Sequence, residues 1–435
     1  MREKCLWSTT AYRLFAYTDG RNCFCGRAGV CALGAKILSL LERGQEGICK
    51  TQVVTHQGCT MHIGFEVSNA TSQRATGVAR YIIALISALA SQIETADHLT
   101  LFYKLSRWPQ RQQWWRPAGL PIRLYHGRWW PPVKGVDIIH GLDGVIPPWS
   151  GVQRVVTLYD LLVLRSPDPQ IAPPGFQRKK RQFYQTVAAG ADTIITISAT
   201  TKQDIVQLLG VPATQIYVTH LGIDQRFGDA EPEARQKVLQ AYALTPGYVL
   251  FVGAISGRKN TARLVQAYAQ SRASKERLLV LVGPMAYRGE DTLEAMQHGG
   301  LGQRVRLLGY VPDEDLPALY AGAGCFVFPT LYEGFGMPIL EAMASGTPVL
   351  TSTTGAAPEM SGGLAVSVDP YDIEAIADGI DRALATPTTV LAQAREHARA
   401  FTWERCASQT LAIYRQITCT TRRHRKQSSY APRTG

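Results

Sequence analysis

Glu333-Gly-Phe-Gly-Met-Pro-Ile-Leu-Glu341-Ala-Met-Ala-Ser-Gly-Thr-Pro-Val-Leu350 is the stretch that decides how this chain is built. It follows the short apolar run Cys325 to Phe328 and ends inside a second one, Pro348 to Thr351. Short apolar runs flanked by turn residues read as strands buried on both faces. Between them, Gly334 and Gly336 permit close backbone approach, and a helix starting around Pro338 points its free amides into the loop. Such an end attracts a phosphate or a sugar hydroxyl. Glu333 stands before that helix and Glu341 within it, so the two carboxylates can reach different parts of one extended ligand.

Working outward, the same strand and helix rhythm begins afresh at Tyr248-Val-Leu-Phe-Val-Gly253 and continues through Leu278 to Val282, Val305 to Leu308 and Ala365 to Val368. The loop Gly253-Ala-Ile-Ser-Gly-Arg258-Lys259-Asn260 lies between a strand and a helical run, where adjacent Arg258 and Lys259 can neutralise a diphosphate. Val282-Gly283-Pro284 and Leu308-Gly309-Tyr310-Val311-Pro312 end further strands at the same rim. Asp313-Glu-Asp315 reads as a helix start favoured by carboxylates rather than as a metal-binding signature.

The first half repeats the pattern. Met61-His-Ile-Gly-Phe-Glu-Val reads as an opening strand, followed by a loop with Gly77 and a helix whose apolar stripe runs from Val78 to Leu89. Strands are expected at Leu99 to Tyr103, Ile122 to Tyr125, Asp137 to His140, Arg154 to Leu158 and Thr193 to Ile197, with helices at Phe176 to Ala189 and Thr201 to Leu209. The domains expected are 61–240 and 241–415, with 226–248 as the crossing. Two such α/β domains leave a cleft between the carboxyl ends of their sheets, where ligands of open sheets bind. His140, at a strand end, either lines that cleft or packs in the core.

Residues 1–60 carry no sustained period and are expected to be a poorly ordered leader, with Met61 as the start of the folded protein and a small extra lobe as the alternative. The tail 416–435 is polar and basic and reads as a solvated, disordered end. At 435 residues the chain exceeds one comfortable core. Of nine cysteines, six precede residue 60, so a disulfide framework holding the main body is not expected. Cys23 and Cys25 have the wrong spacing for a zinc knuckle. No run of apolar residues is long enough to span a bilayer, and no secretory signal is evident. A cytoplasmic protein is the expectation.

The segment from Glu333 to Leu350 resembles the signature of the large group of retaining nucleotide-sugar glycosyltransferases, group 1 or family 4, that includes bacterial mannosyltransferases of cell-surface polysaccharides. The resemblance extends over roughly residues 61 to 415. It implies the GT-B fold, in which two Rossmann-like domains face one another across a cleft. It also implies that Glu333 addresses the transferred sugar, Glu341 the ribose hydroxyls, and Arg258 and Lys259 the diphosphate leaving group. Gly334, Phe335, Gly336 and Met337 belong to the same sugar-binding loop, Gly253 to the glycine-rich loop, and Tyr310 and Val311 to the base site. Gly77 corresponds to the glycine loop of the first domain that approaches the donor. Glu359 matches a recurring position and is read as structural. Relatives commonly carry histidine immediately before the aspartate of the segment Val155 to Leu161; here Tyr159 precedes Asp160. Tyrosine does not titrate near neutral pH unless strongly perturbed. Asp160 either orients the sugar or acceptor or caps the following turn.

The formal net charge of +12 calls for anionic company. Arg107, Trp108, Arg111, Trp114, Trp115, Arg116, Arg128, Trp129, Trp130 and the run Arg178 to Arg181 interleave aromatic and basic residues without a recognised nucleic-acid module. An anionic membrane surface is the preferred partner, with ordinary tryptophan packing as the alternative. The reaction expected is retaining transfer of a hexosyl group, leaning to GDP-mannose, onto a saccharide or lipid-linked acceptor, with no cofactor and no metal. A nucleotide-sugar epimerase and a silent sugar-nucleotide-binding subunit are the alternatives.

Overall fold

The computed structural model describes residues 60–70, 77–126, 135–145, 151–166, 168, 171–173, 175–228 and 231–429. The expectations for residues 1–59, for Arg128, Trp129 and Trp130, and for 430–435 lie outside the described residues.

The first sheet contains β1 (His62–Glu66), β2 (His98–Lys104), β3 (Ile122–Tyr125), β4 (Ile138–Gly141), β5 (Gln153–Leu158), β6 (Thr193–Thr196) and β7 (Ile216–Val218). Its order is β3-β2-β1-β4-β5-β6-β7, and every pairing is parallel. The second contains β8 (Tyr248–Val252), β9 (Leu279–Val282), β10 (Val305–Gly309), β11 (Ala323–Phe328), β12 (Val349–Ser352) and β13 (Val366–Val368), in the order β10-β9-β8-β11-β12-β13. Central strands such as β4 and β9 are buried along their whole length, as a parallel sheet covered by helices on both faces requires. Each sheet reverses its strand order once, at β1/β4 and at β8/β11. Those two reversals create crevices at the strands' carboxyl ends.

The tail differs from expectation. Instead of ending near residue 416, an α-helix runs from Trp403 to Ser429. It returns to the first domain, where Arg415 pairs with Glu94 at 2.7 Å and Ser408 donates to Gln92 at 2.7 Å. Cys406 and Tyr414 are fully buried along it, and Leu411 nearly so. In its first half the covered stripe also includes Ala407, Ile413 and Ile417, while the sequence beyond is polar and basic.

That helix also decides the position of His140, which does not line the cleft. Its ring is fully buried, with Nδ1 hydrogen-bonded to the Tyr414 hydroxyl at 2.5 Å and Nε2 to Thr157 Oγ1 at 2.8 Å. Burial pushes the imidazole down to about 3. The unfolded chain therefore takes up a proton at His140 as pH falls through its ordinary value of 6.5, while the folded chain resists until about 3. Stability from this group is full above 6.5 and declines as pH is lowered. Unfolding free energy should fall by about 2 kcal/mol between about pH 7.5 and about pH 5 on account of this group alone. Denaturant titrations across that range should show a correspondingly smaller fall for His140→Asn.

Candidate active site

At the second reversal, the loop after β8 and the loop after β11 bring three charged side chains together. Lys259 Nζ donates to Glu333 Oε1 at 2.7 Å, and Arg258 Nη1 lies 3.6 Å from the same oxygen. Lys259 and Glu333 are both buried. The Lys259 ammonium also sits 4.6 Å from the ring centre of Phe328, the last residue of β11. Burial alone would push the Glu333 carboxyl up, but Lys259 and Arg258 outweigh it and hold the group below the usual carboxylate range. Burial pushes the Lys259 ammonium down against the opposing pull of Glu333. Glu333 itself raises Arg258, with Asp160 of the first domain adding to the effect. Two cations thus share one buried carboxylate, leaving positive charge for a further anion.

The glycine loop is fixed between the domains. A methyl group at Gly334 would stand 2.2 Å from the Tyr159 carbonyl oxygen and 2.8 Å from Asp160 Cβ, so only glycine allows the two loops to meet. Thr201 strengthens the junction by donating to the Gly334 carbonyl at 3.3 Å and the Tyr159 carbonyl at 3.2 Å. Gly336 has φ +97°, a left-handed conformation that turns the chain into the Met337–Ala344 helix. Phe335 is placed otherwise than expected for a ligand contact: its ring is buried beside His220 and Phe401. Glu359 accepts from the Ala199 and Thr200 amides at 2.9 and 3.2 Å and from His220 Nε2 at 2.8 Å. It therefore caps, across the domain boundary, the helix Ala199–Leu209 of the first domain.

Glu341 lies apart from Glu333, in a second environment. It is buried, accepts from the Tyr320 hydroxyl at 2.9 Å, and burial raises its carboxyl above the ordinary range. With Arg80, Arg226, Asp313, Met337 and Trp403 it lines a cavity of about 210 Å³ between the domains. Asp313 was expected at a helix start; its carboxylate instead forms an ion pair with Arg80 across the boundary. Asp315 immediately precedes the Leu316–Gly322 helix, but its carboxylate accepts from Tyr242 at 2.7 Å and provides no side-chain cap. Gly253 follows β8 and donates its amide to Val282 at 2.8 Å. Tyr310 is well exposed at the rim, 58%, and Val311 beside it is buried.

In the first domain, Gly77 opens the Gly77–Ala90 helix, and a Cβ there would meet open space, so nothing described around it demands glycine. Tyr159 donates its hydroxyl to the Leu142 carbonyl, and burial raises the phenol far above its ordinary value. Its hydroxyl is thus committed inside the first domain. Asp160 accepts from the Leu162 amide at 3.3 Å, supporting the turn reading, while its charge also acts on Arg258 and Lys259. Tyr159 and Asp160 line a cavity of about 620 Å³ together with Asn69, Arg107, Asp143 and Lys180. Pairs that were not foreseen include Arg80 with Asp313 and Glu66 with Asp143. The second had one visible signal, a glutamate inside an otherwise apolar opening strand.

Comparison with known proteins places this geometry. Residues 75–227 match the family described as Glycosyltransferase Family 4, and residues 234–401 match Glycosyl transferases group 1. O-antigen chain mannosyltransferase B of Escherichia coli is 32% identical over 371 residues, covering 79% of this chain and 96% of that protein. The chain belongs to the group 1, family 4 glycosyltransferases. This glycosyltransferase is also 29% identical over 275 residues to the serotype-specific mannosyltransferase WbdA of Escherichia coli, spanning 60% of this chain but 32% of that longer protein. Its fold is GT-B. Sucrose-phosphate synthase from Thermosynechococcus elongatus superposes with a TM-score of 0.63 at 23% identity, over 83% of this chain and 100% of that one. HepE from Anabaena, solved in complex with UDP and glucose, superposes with a TM-score of 0.62 at 18% identity, over 81% and 99%.

The contact between Gly334 and Tyr159 gives a direct test of how tightly the glycosyltransferase's domains must meet. Gly334→Ala forces backbone against backbone and should destabilise the closed arrangement by about 1–3 kcal/mol. The expected result is a lower kcat/KM together with a lower melting temperature, measured by steady-state transfer and calorimetry.

Proposed function

We propose that this enzyme transfers a mannosyl group from GDP-mannose, with retention of configuration, to a hydroxyl of a saccharide or lipid-linked saccharide. The observation that carries the proposal is the buried Lys259–Glu333–Arg258 cluster at the reversal of the second sheet, in a chain related along most of its length to an O-antigen mannosyltransferase.

In this reading Arg258 and Lys259 receive the donor diphosphate. The Arg258 guanidinium offers a directional fork and Lys259 a compact charge. As the bond from the anomeric carbon to the phosphate oxygen breaks, negative charge grows on the leaving diphosphate, where preorganised cations are most effective. Glu333 accepts hydrogen bonds from sugar hydroxyls, and backbone amides at the start of the Met337–Ala344 helix add a partial positive end. Glu341 addresses the ribose, and Tyr310 and Val311 flank the base. The acceptor oxygen attacks from the leaving-group face, and its proton passes to a phosphate oxygen. Tyr159 accords with a path that needs no protein base, because its hydroxyl is already donated. Contact between the domains excludes water and protects the donor from hydrolysis.

The acceptor side is basic. Arg178, Lys179 and Arg181 are exposed on the Phe176–Gly190 helix, in which Phe176 and Phe183 are 40% exposed. Trp108 is also exposed, at 44%, whereas Trp114 is buried and stacked on Tyr103. Packing therefore accounts for Trp114, and the exposed basic helix is the part suited to an anionic lipid surface. Sedimentation with phosphatidylglycerol vesicles should fall with added salt and fall further in Arg178→Glu/Lys179→Glu/Arg181→Glu.

A mass-spectrometric screen of nucleotide sugars and acceptors tests the reaction itself. A product heavier by one hexose is expected with GDP-mannose, and Lys259→Ala or Glu333→Ala should lower its rate by about 10²–10³. Donor binding without product across lipid-linked and free saccharides would favour a binding subunit. Loss of donor with release of nucleotide and an altered free sugar would favour an epimerase.

A further inference from the structure

The first sheet also reverses its strand order, at β1/β4, and the carboxyl ends of those strands hold a second buried acid. Glu66 is the last residue of β1 and is completely buried. Its Oε1 accepts from the Ser68 amide at 3.1 Å, from the Ser68 hydroxyl and from the Tyr125 hydroxyl at 2.8 Å. Among the described residues its Oε2 has no donor, and neither does Oδ1 of Asp143, two residues beyond β4. The two carboxyl groups interact directly. A single proton between them supplies both orphaned oxygens with a partner, whereas two carboxylates in contact would repel.

The remaining charged neighbours fit one shared proton. Burial, followed by the Asp143 charge, pushes the Glu66 carboxyl up to about 8. Tyr125 from β3 and Tyr103 from β2 are both raised by burial and stay phenolic. Tyr159, at the end of β5, also stays phenolic, being raised first by burial. Arg116 acts on the Tyr103 side. Asp143 Oδ2 accepts from Asn69 Nδ2, and Asn69 Oδ1 accepts from Arg107 at 3.2 Å. Asn69, Arg107 and Asp143 then face the cavity of about 620 Å³ beside Asp160 and Lys180.

We propose that Glu66 is a positioning residue: as a carboxylic acid it donates to Asp143 and holds that side chain aimed into the cavity, where it accepts a hydroxyl of the acceptor saccharide. The inference rests on the transferase reading and identifies what grips the acceptor. Asp143 keeps free lone pairs after taking the Glu66 and Asn69 donors, because an ionised carboxylate has about four acceptor sites. A polyol bearing adjacent hydroxyls meets Asp143 as acceptor and Arg107 and Lys180 as donors. Ionisation of Glu66 places two repelling charges in the pair and loosens the grip.

Acceptor KM and kcat measured from pH 6 to pH 9.5 for wild type, Glu66→Gln and Asp143→Asn test this. Wild-type KM for acceptor should rise about tenfold for each pH unit above about 8, with kcat changing little. Glu66→Gln keeps a donor at every pH and should lose that rise, while Asp143→Asn should bind acceptor at least tenfold more weakly throughout. All three should bind donor equally by calorimetry. Identical alkaline limbs in wild type and Glu66→Gln, or an unchanged KM in Asp143→Asn, would overturn the inference. Infrared difference spectroscopy tests the pair without turnover. A carboxylic-acid band present at neutral pH, shifted by added mannoside and absent from Glu66→Gln, supports the inference even if the donor assignment fails, and absence of that band in wild type rejects it.

Discussion

A carboxylate buried as deeply as Glu333 persists in its ionised form only beside fixed positive charge, and this chain meets that demand with two adjacent cations from one loop. Lys259 carries the reciprocal constraint, since its ammonium is buried too. Neither loop can hold its charge without the other, so the turn after β8 and the turn after β11 form as one unit. The Leu331 amide donates to the Arg258 carbonyl at 3.1 Å and ties the same loops through the backbone. Rigidity here follows from electrostatics, and it places positive charge where β8 and β11 part.

Both sheets use their strand reversal, but with opposite electrical character. At β8/β11 two cations surround one carboxylate, which suits an anionic ligand. At β1/β4 two acids meet beside the hydroxyls of Ser68 and Tyr125, which suits neutral polyol recognition by hydrogen bonds. The junction of Gly334 with Tyr159 sets the two crevices side by side. Under the proposed function, this arrangement sorts a donor with a diphosphate and an acceptor rich in hydroxyls to different halves before any chemistry.

The strands of both sheets were legible in the sequence as short apolar runs, except β7, a three-residue edge strand that was not read. β3 was read to the residue and β4 to within one at each end. The residues of the charged cluster were legible through Gly334 and Gly336 and the adjacent Arg258 and Lys259, but their pairing with Glu333 was not. What escaped depended on contacts distant along the chain. His140 meets Tyr414, 274 residues away, so no local pattern distinguishes a buried histidine at that strand end from one in a cleft. Phe335 sits in a ligand-like motif, yet Phe401 and His220 enclose its ring. The helix from Trp403 was missed although Cys406, Ala407, Leu411, Ile413, Tyr414 and Ile417 recur along one face, because its second half is polar and basic and its partners lie on the first domain.

Polar contacts join the halves beside an apolar cluster of Leu162 and Ile171 with Leu331 and Tyr332. Arg80 with Asp313 and Glu359 with Ala199 and Thr200 cross the boundary, as does Tyr332 with Asp204. Arg80 and Asp313 keep about a third of their side-chain surface exposed, at 33% and 31%, so water competes for both charges and their attraction adds little to stability. Such polar contacts fix orientation at low net energy. The crossings at Ile223 and Phe401 are joined by one backbone hydrogen bond of 3.0 Å, and Gly222 lies against Trp403 with no room for a side chain. The chain thus passes between the halves at two neighbouring points tied to one another, and a junction so narrow fixes the alignment of Gly334 on Tyr159.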